Sequence, residues 1–60
     1  MTVKFLSKML NPTLKVIVHK NGEQLQVLRA GDADSNYYGQ FEIKDFEMSA
    51  MSPACIIEIR

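Results

Sequence analysis

The dipeptide Asn21-Gly22 constrains the fold of this chain more than any other feature of its sequence. It lies midway between residues 14–20 and 23–29, two runs in which β-branched and other apolar residues alternate with polar ones. An Asn-Gly pair in this setting predicts a two-residue type I′ turn, because both turn residues must adopt a positive φ. We therefore expect a β-hairpin over residues 14–29.

The turn also fixes a strand register that can be compared with the side chains. One predicted face carries Lys20 opposite Glu23, Val18 opposite Leu25, Val16 opposite Val27 and Leu14 opposite Arg29. The other face carries His19 opposite Gln24, Ile17 opposite Gln26 and Lys15 opposite Leu28. The first face is apolar and ends in an opposite-charge pair beside the turn, whereas the second is mostly polar. Pattern and turn chemistry thus favour the same hairpin.

Residues 2–10 have the spacing of a short amphipathic helix. Thr2 is suited to be its N-cap, and Pro12 ends it by disfavouring helical backbone at Asn11. The positions predicted to form its apolar face are Val3, Phe5, Leu6, Met9 and Leu10. A helix this short is unstable alone in water, so we expect it to pack on the sheet.

Residues 40–48 and 55–60 have strand composition. In the first of these strands a β-bulge near Lys44-Asp45 is expected, because one extra residue would bring its apolar side chains to one face. Those side chains are Phe41, Ile43, Phe46 and Met48. In the last strand Cys55, Ile57 and Ile59 are predicted to point inward.

These elements predict a single α+β domain over residues 1–60. Its sheet is expected to be four-stranded and mainly antiparallel, or to form a partly open small barrel. The predicted core consists of Val16, Val18, Leu25, Val27, Phe41, Ile43, Ile57 and Ile59. Ile17 and Ile56 fall on the outer side, which indicates a second covered face, supplied by the helix or by a neighbouring subunit.

A chain of 60 residues buries only about 60% of its unfolded surface, so its stability is marginal without a further constraint. Cys55 is the only cysteine and His19 the only histidine. An intramolecular disulfide and a four-ligand Cys/His zinc site are therefore impossible within one chain. We expect oligomerisation to supply the missing stability.

The formal net charge of zero hides an asymmetry between the two halves of the chain. Residues 1–30 carry five basic side chains and one acidic one, a net +4, and residues 31–60 carry two basic and six acidic ones, a net −4. The halves either pair within one fold or attract each other between protomers, basic surface to acidic surface.

The sequence gives little sign of catalysis or metal binding. Asp32, Asp34 and Asn36 begin like a calcium loop, but Tyr37 stands where a glycine is needed and Ile43 where a bidentate glutamate is needed. Cys55 opens an apolar strand and is expected to be buried rather than nucleophilic. His19 is expected to be solvated near the turn. We therefore expect no enzymatic activity and no cofactor or metal.

Two binding functions remain open besides self-association. Tyr37 and Tyr38, together with Lys15, Lys20 and Arg29, are residue types that stack on bases and contact phosphates in single-stranded nucleic acid. The acidic loop around the tyrosines and the neutral net charge weigh against this function. The other possibility is an inhibitor-like module that binds a partner protein.

The order of elements also resembles that of a known family. An amphipathic N-terminal helix is followed by an Asn-Gly hairpin, a Gly-Gln-Phe-Glu-Ile strand opening at Gly39, and then Ser52-Pro53-Ala54-Cys55-Ile56. This order resembles the first half of small tailed-phage head–tail joining proteins, in which a Ser-Pro-hydrophobic step leads into a core strand of a small β-barrel. Subunits of that family form rings between portal and tail. The resemblance implies a structural role in virion assembly and assigns no functional residues.

Together these features predict a non-enzymatic structural or protein–protein interaction module. Its partner is expected to be a second copy of itself or another protein. The residues predicted to take part are Ile17, Ile56, Lys15, Lys20, Arg29, Tyr37 and Tyr38. With no apolar run of about 18 residues and no signal-peptide pattern, we expect no membrane association and a location in the cytoplasm or in an assembled particle.

Overall fold

A computed structural model describes residues 1–50 and 52–60. Within these residues it contains one short α-helix, four strands and two 3-10 helices. The regular elements are α1 at Val3–Ser7, β1 at Lys15–Lys20, β2 at Glu23–Arg29, β3 at Ile43–Ser49 and β4 at Ala54–Ile59. The two 3-10 helices lie between β2 and β3, at Ala30–Ser35 and Tyr37–Gln40. No helix among the described residues is long and apolar enough to cross a membrane.

The four strands form one open sheet in the order β2-β1-β4-β3. β1 pairs antiparallel with β2 and parallel with β4, and β4 pairs antiparallel with β3. The sheet is therefore mixed, with β2 and β3 at its edges. The predicted α+β class fits this architecture. The barrel alternative does not, because the two edge strands are not joined to each other.

The turn between β1 and β2 places Asn21 at φ 53° and Gly22 at φ 80°. Next to the turn the strands pair in the predicted register, with Lys20 opposite Glu23 and His19 opposite Gln24. The register then shifts by one residue, because Leu25 is inserted into β2 as a bulge and has no partner on β1.

A shift of one residue moves every following side chain of β2 to the other face of the sheet. Leu28, rather than Val27, lies opposite Val16, and Arg29 lies opposite Lys15 instead of Leu14. The predicted core positions Leu25 and Val27 are therefore wrong: their side chains are 37% and 45% exposed, whereas Leu28 is buried.

The core lies between the sheet and the layer formed by α1 and the 3-10 helices. Its buried members are Val3, Leu6, Val16, Val18, Leu28, Ala30, Ala33, Cys55, Ile57 and Ile59. The predictions for Val16, Val18, Ile57 and Ile59 are thus confirmed. Phe41 and Ile43 are partly buried and pack against the same cluster.

The helix is shorter than predicted, ending at Ser7 instead of residue 10. Thr2 is its N-cap, as predicted, and its hydroxyl oxygen accepts a hydrogen bond from the Phe5 amide at 3.2 Å. A helix of this length buries only a narrow stripe, so Phe5 and Met9 are more than half exposed rather than part of the packed face.

The predicted bulge near Lys44-Asp45 is confirmed by a register shift between Ile43 and Asp45. Phe46 consequently lies opposite Ile57, the register position that strand alternation assigns to the core side of the sheet. Phe46 and Met48 are nonetheless about half exposed, because β3 is an edge strand that the helical layer covers incompletely. The strand begins at Ile43 rather than residue 40, since Tyr37–Gln40 is a 3-10 helix.

Candidate functional site

The face of the sheet opposite α1 is the most distinctive surface of this protein. Both kinds of helix pack on the other face, so in the described part of the chain this face is left to solvent. We call it the open face. Strand pairing arranges its side chains in three rows that run from β2 across β1 and β4 to β3.

Each row takes one residue from each strand. The basic row is Arg29, Lys15, Ala54 and Ser49; the apolar row is Val27, Ile17, Ile56 and Glu47; and the acidic row is Gln24, His19, Glu58 and Asp45. The apolar row lies between the other two. The open face therefore has an apolar centre, with positive charge at one end and negative charge at the other, and with Glu47 as a further negative charge at the β3 edge of the apolar row.

The apolar row brings together the two isoleucines that the sequence placed on the outer side. Ile17 and Ile56 are direct partners across the parallel β1–β4 pair, and Val27 lies beside Ile17 on β2. Both isoleucines are half-buried, and Val27 is 45% exposed. These adjacent side chains form a small apolar patch in the middle of the open face.

The charged ends are held by contacts within the chain. The Arg29 guanidinium donates from Nη1 to the Thr13 carbonyl oxygen at 3.0 Å. At the other end the Glu58 carboxylate accepts a hydrogen bond from the Asn21 amide, which ties β4 to the β1–β2 turn. These bonds restrict the side chains to the two ends of the open face and leave further oxygens and N–H groups for a partner.

The acidic end also has a shallow concave shape. A depression of about 470 Å³ is bordered by residues from β1, β3 and β4. Its lining consists of His19, Lys44, Asp45, Phe46, Glu47, Ile56 and Glu58. His19 was expected to be solvated, but it is half-buried within this border. Three carboxylates against one lysine give this end an acidic character.

The residues predicted for nucleic-acid binding do not form one surface. Lys20 is at the turn end of β1. Lys15 is at the other end of β1, about 16 Å away along the strand, and Arg29 lies opposite Lys15 on β2. Tyr37 and Tyr38 belong to the helical layer on the opposite face, where their rings lie 5.2 and 5.4 Å from that of Phe41. Lys15 and Arg29 are thus close to Ile17 and Ile56 but separated from the tyrosines.

Cys55 is fully buried in the core, in agreement with its predicted role as a small apolar residue. Burial raises the pKa of the Cys55 thiol, because the low-dielectric surroundings disfavour the thiolate. The calcium-like segment instead forms the first 3-10 helix. Within residues 1–50 and 52–60, no group of three His, Cys, Asp or Glu side chains is arranged to hold a metal ion.

We expect Cys55 to react with an aromatic disulfide reagent only when the protein opens. The neutral, buried thiol is neither nucleophilic nor accessible in the folded state. In a pH 8 assay, the folded protein should react at least about 100-fold more slowly than the urea-unfolded chain. Equal rates would show that the core around β4 is open in solution.

Sequence reasoning placed Ile17 and Ile56 outward but did not identify Val27 as their neighbour. The consecutive apolar residues Val27 and Leu28 were the available signal, because one of two neighbouring strand residues must face outward. The basic and acidic rows could not be predicted from the sequence for another reason. They depend on the parallel pairing of β1 with β4, and these strands are far apart in the chain, so no local pattern predicts that they are neighbours.

Comparison with known proteins gives no match: no protein-family model fits the chain, and no curated protein and no solved structure is significantly similar to it.

Proposed function

We propose that this protein is a non-enzymatic interaction module that associates with itself through the open face. The observation that carries the proposal is the adjacency of Ile17 and Ile56 in an apolar row that includes Val27. Burying these three side chains in a contact removes apolar surface from water at a gain of roughly 25 cal/mol per Å². The charged rows on either side supply orientation.

The size of the chain also supports self-association. Its α-helix has only five residues. Its single cysteine is buried and free, so no disulfide stabilises the core. Among the described residues, no group of side chains is arranged to hold a stabilising metal ion. Association adds stability to such a small domain by mass action, because the folded state binds a partner that the unfolded state does not.

The open face is small, which limits the expected affinity. Three rows on four strands cover an area about 14 Å by 13 Å between the outermost Cα positions. Such a contact buries less than the roughly 800 Å² per partner that a stable complex commonly has. We therefore expect a dissociation constant on the order of 10 to 100 μM, corresponding to roughly −6 kcal/mol.

Ile17→Asp is expected to abolish self-association and leave the protein folded. The new carboxylate would be placed at the centre of the contact, where it loses its water on association without gaining a partner. Sedimentation velocity at about 1 mM, roughly tenfold or more above the expected dissociation constant, measures the mass, and far-UV circular dichroism monitors the fold. The variant should sediment as a folded monomer.

Met9→Asp is the matched control, because it introduces the same charge at an apolar side chain that is 61% exposed and lies away from the open face. It should self-associate like the parent protein. If Met9→Asp dissociates the complex and Ile17→Asp does not, the association surface is on the helical side, among residues such as Phe5.

Within this class we infer a component of a multi-subunit assembly, and the resemblance to tailed-phage head–tail joining proteins suggests a virion as one such assembly. The same experiment tests the alternatives. An inhibitor-like module is expected to remain monomeric until its foreign partner is added. A module for single-stranded nucleic acid is also expected to be monomeric, and its affinity for an oligonucleotide should fall steeply with salt.

A further inference from the structure

We propose that the partner on the open face is a second copy related by a two-fold axis, with Arg29 of each protomer facing the partner's Asp45. This inference rests on the proposed function and specifies its geometry. It differs from head-to-tail association between basic and acidic surfaces, which uses two different patches and builds rings or chains. Here one patch is self-complementary, so association closes at a dimer.

The charges at the four corners of the open face determine how two copies can be oriented. Arg29 occupies one corner, at the edge strand β2, and Asp45 occupies the diagonally opposite corner, at the edge strand β3. The other two corners, Gln24 and Ser49, are uncharged. Three strand spacings and four residue steps make the face nearly square, about 14 Å by 13 Å.

A nearly square face permits a diagonal two-fold axis. If the axis lies in the contact plane along the diagonal from Gln24 to Ser49, it exchanges the other two corners. Arg29 then lies over the partner's Asp45, and Asp45 lies over the partner's Arg29. The strands of the two sheets cross at nearly a right angle, which is one of the two common ways in which sheets pack.

The other symmetric orientations do not pair these charges. An axis parallel to the strands places Arg29 against the partner's Ser49, and an axis across the strands places it against the partner's Gln24. The second diagonal axis places Arg29 against the partner's Arg29, and Asp45 against the partner's Asp45. Only the axis along the diagonal from Gln24 to Ser49 brings opposite charges together at both corners.

Two further charged residues of the open face, Lys15 and Glu58, are consistent with this orientation. Lys15 is one strand inward from Arg29, so the diagonal axis places it between the partner's Asp45 and the partner's Glu47. Glu58 is one strand inward from Asp45, so the same axis places it between the partner's Arg29 and the partner's Val27. The apolar centre, where Ile17 and Ile56 meet, lies on the axis and packs against itself.

Arg29 and Asp45 are also available for such contacts. Among residues 1–50 and 52–60, neither has an ion-pair partner within 4.0 Å. The hydrogen bond from Arg29 to Thr13 uses one of its five N–H donors, and one oxygen of the Asp45 carboxylate accepts a bond from the neighbouring Phe46 amide. Each side chain keeps polar atoms for a partner.

Charge exchange tests the proposed orientation. Arg29→Asp and Asp45→Arg, each alone, place like charges at both corners and should weaken the dimer by about tenfold or more. An equimolar mixture of the two variants restores an opposite-charge pair at each corner. Sedimentation equilibrium of the mixture should therefore give a heterodimer with an affinity within about threefold of the parent dimer.

Lys8→Asp is the control for net charge, since it makes the same charge change as Arg29→Asp on the helical side, at a residue whose pair with Asp34 is exposed. It should leave dimerisation unchanged. If Asp45→Arg disturbs the bulge in β3, the pair Lys15→Glu and Glu47→Lys offers the same test with a smaller expected effect. Far-UV circular dichroism identifies any variant that fails to fold.

The outcomes separate this inference from the function on which it rests. A parent protein that is monomeric at every concentration overturns both. A parent dimer that Ile17→Asp dissociates, but in which the charge variants bind normally or fail to recover on mixing, overturns the diagonal two-fold axis and leaves self-association through the open face intact. Recovery on mixing, with no effect of Lys8→Asp, supports the proposed pairing.

Discussion

Val18→Asp is expected to unfold this protein. Val18 is fully buried on β1, in contact with the core that α1 and β4 share. The substitution removes roughly 1.5–3 kcal/mol of apolar burial and adds the larger cost of a buried carboxylate. A domain of this length is stable by only about 3–9 kcal/mol. Far-UV circular dichroism and amide chemical-shift dispersion should both show an unfolded chain at 25 °C.

Leu25→Asp separates the observed register from the register predicted by the turn alone. In the predicted register Leu25 lies opposite Val18 in the core, so the two substitutions would be equally damaging. In the structure Leu25 is the bulged residue and is 37% exposed, so Leu25→Asp should cost no more than about 1 kcal/mol. Unfolding of both variants would contradict the bulge.

Gly39→Ala is expected to have the second largest effect on stability. Gly39 is buried in the second 3-10 helix, and a Cβ atom there would overlap the carbonyl oxygen of Ala33 and lie 3.1 Å from its carbonyl carbon. Backbone atoms cannot move aside as a flexible side chain does. We expect a loss of about 3 kcal/mol or more, measured as a lower midpoint in urea unfolding.

Gly31→Ala provides the comparison within the same loop. Its added Cβ would lie 3.2 Å from Pro12 Cβ and from the Pro12 carbonyl oxygen, a tight contact that a small shift relieves. The expected loss is about 1 kcal/mol. Equal midpoints for the two variants would mean that the 3-10 helices are not packed against each other as described.

The order and type of the main elements could be predicted because they depend on local signals. Asn21-Gly22 marks the chain reversal, Thr2 caps the helix, and the parity break in residues 40–48 gives the bulge. The bulge at Leu25 was not predicted. The Asn21-Gly22 turn alone favours the unshifted register. The shifted register is stabilised by burial of Leu28 against the helical layer, which is a tertiary effect.

The candidate site was predictable only in part, for a similar reason. The outward position of Ile17 and Ile56 follows from strand alternation, which is local. Their direct pairing, and the placement of Lys15 and Glu58 in opposite end rows, follow from β1 and β4 running parallel. A parallel pair of strands requires a long connection, here through β2, the 3-10 helices and β3. No local sequence signal therefore predicts the pairing of β1 with β4.

The first measurement is the mass of the parent protein by sedimentation equilibrium, from about 10 μM to about 1 mM, a range that brackets the expected dissociation constant. We predict a mass that rises with concentration from the monomer value of 6.8 kDa toward twice that value, without larger species, and a weaker rise at high salt. A mass that stays at 6.8 kDa over the whole range would contradict self-association through the open face.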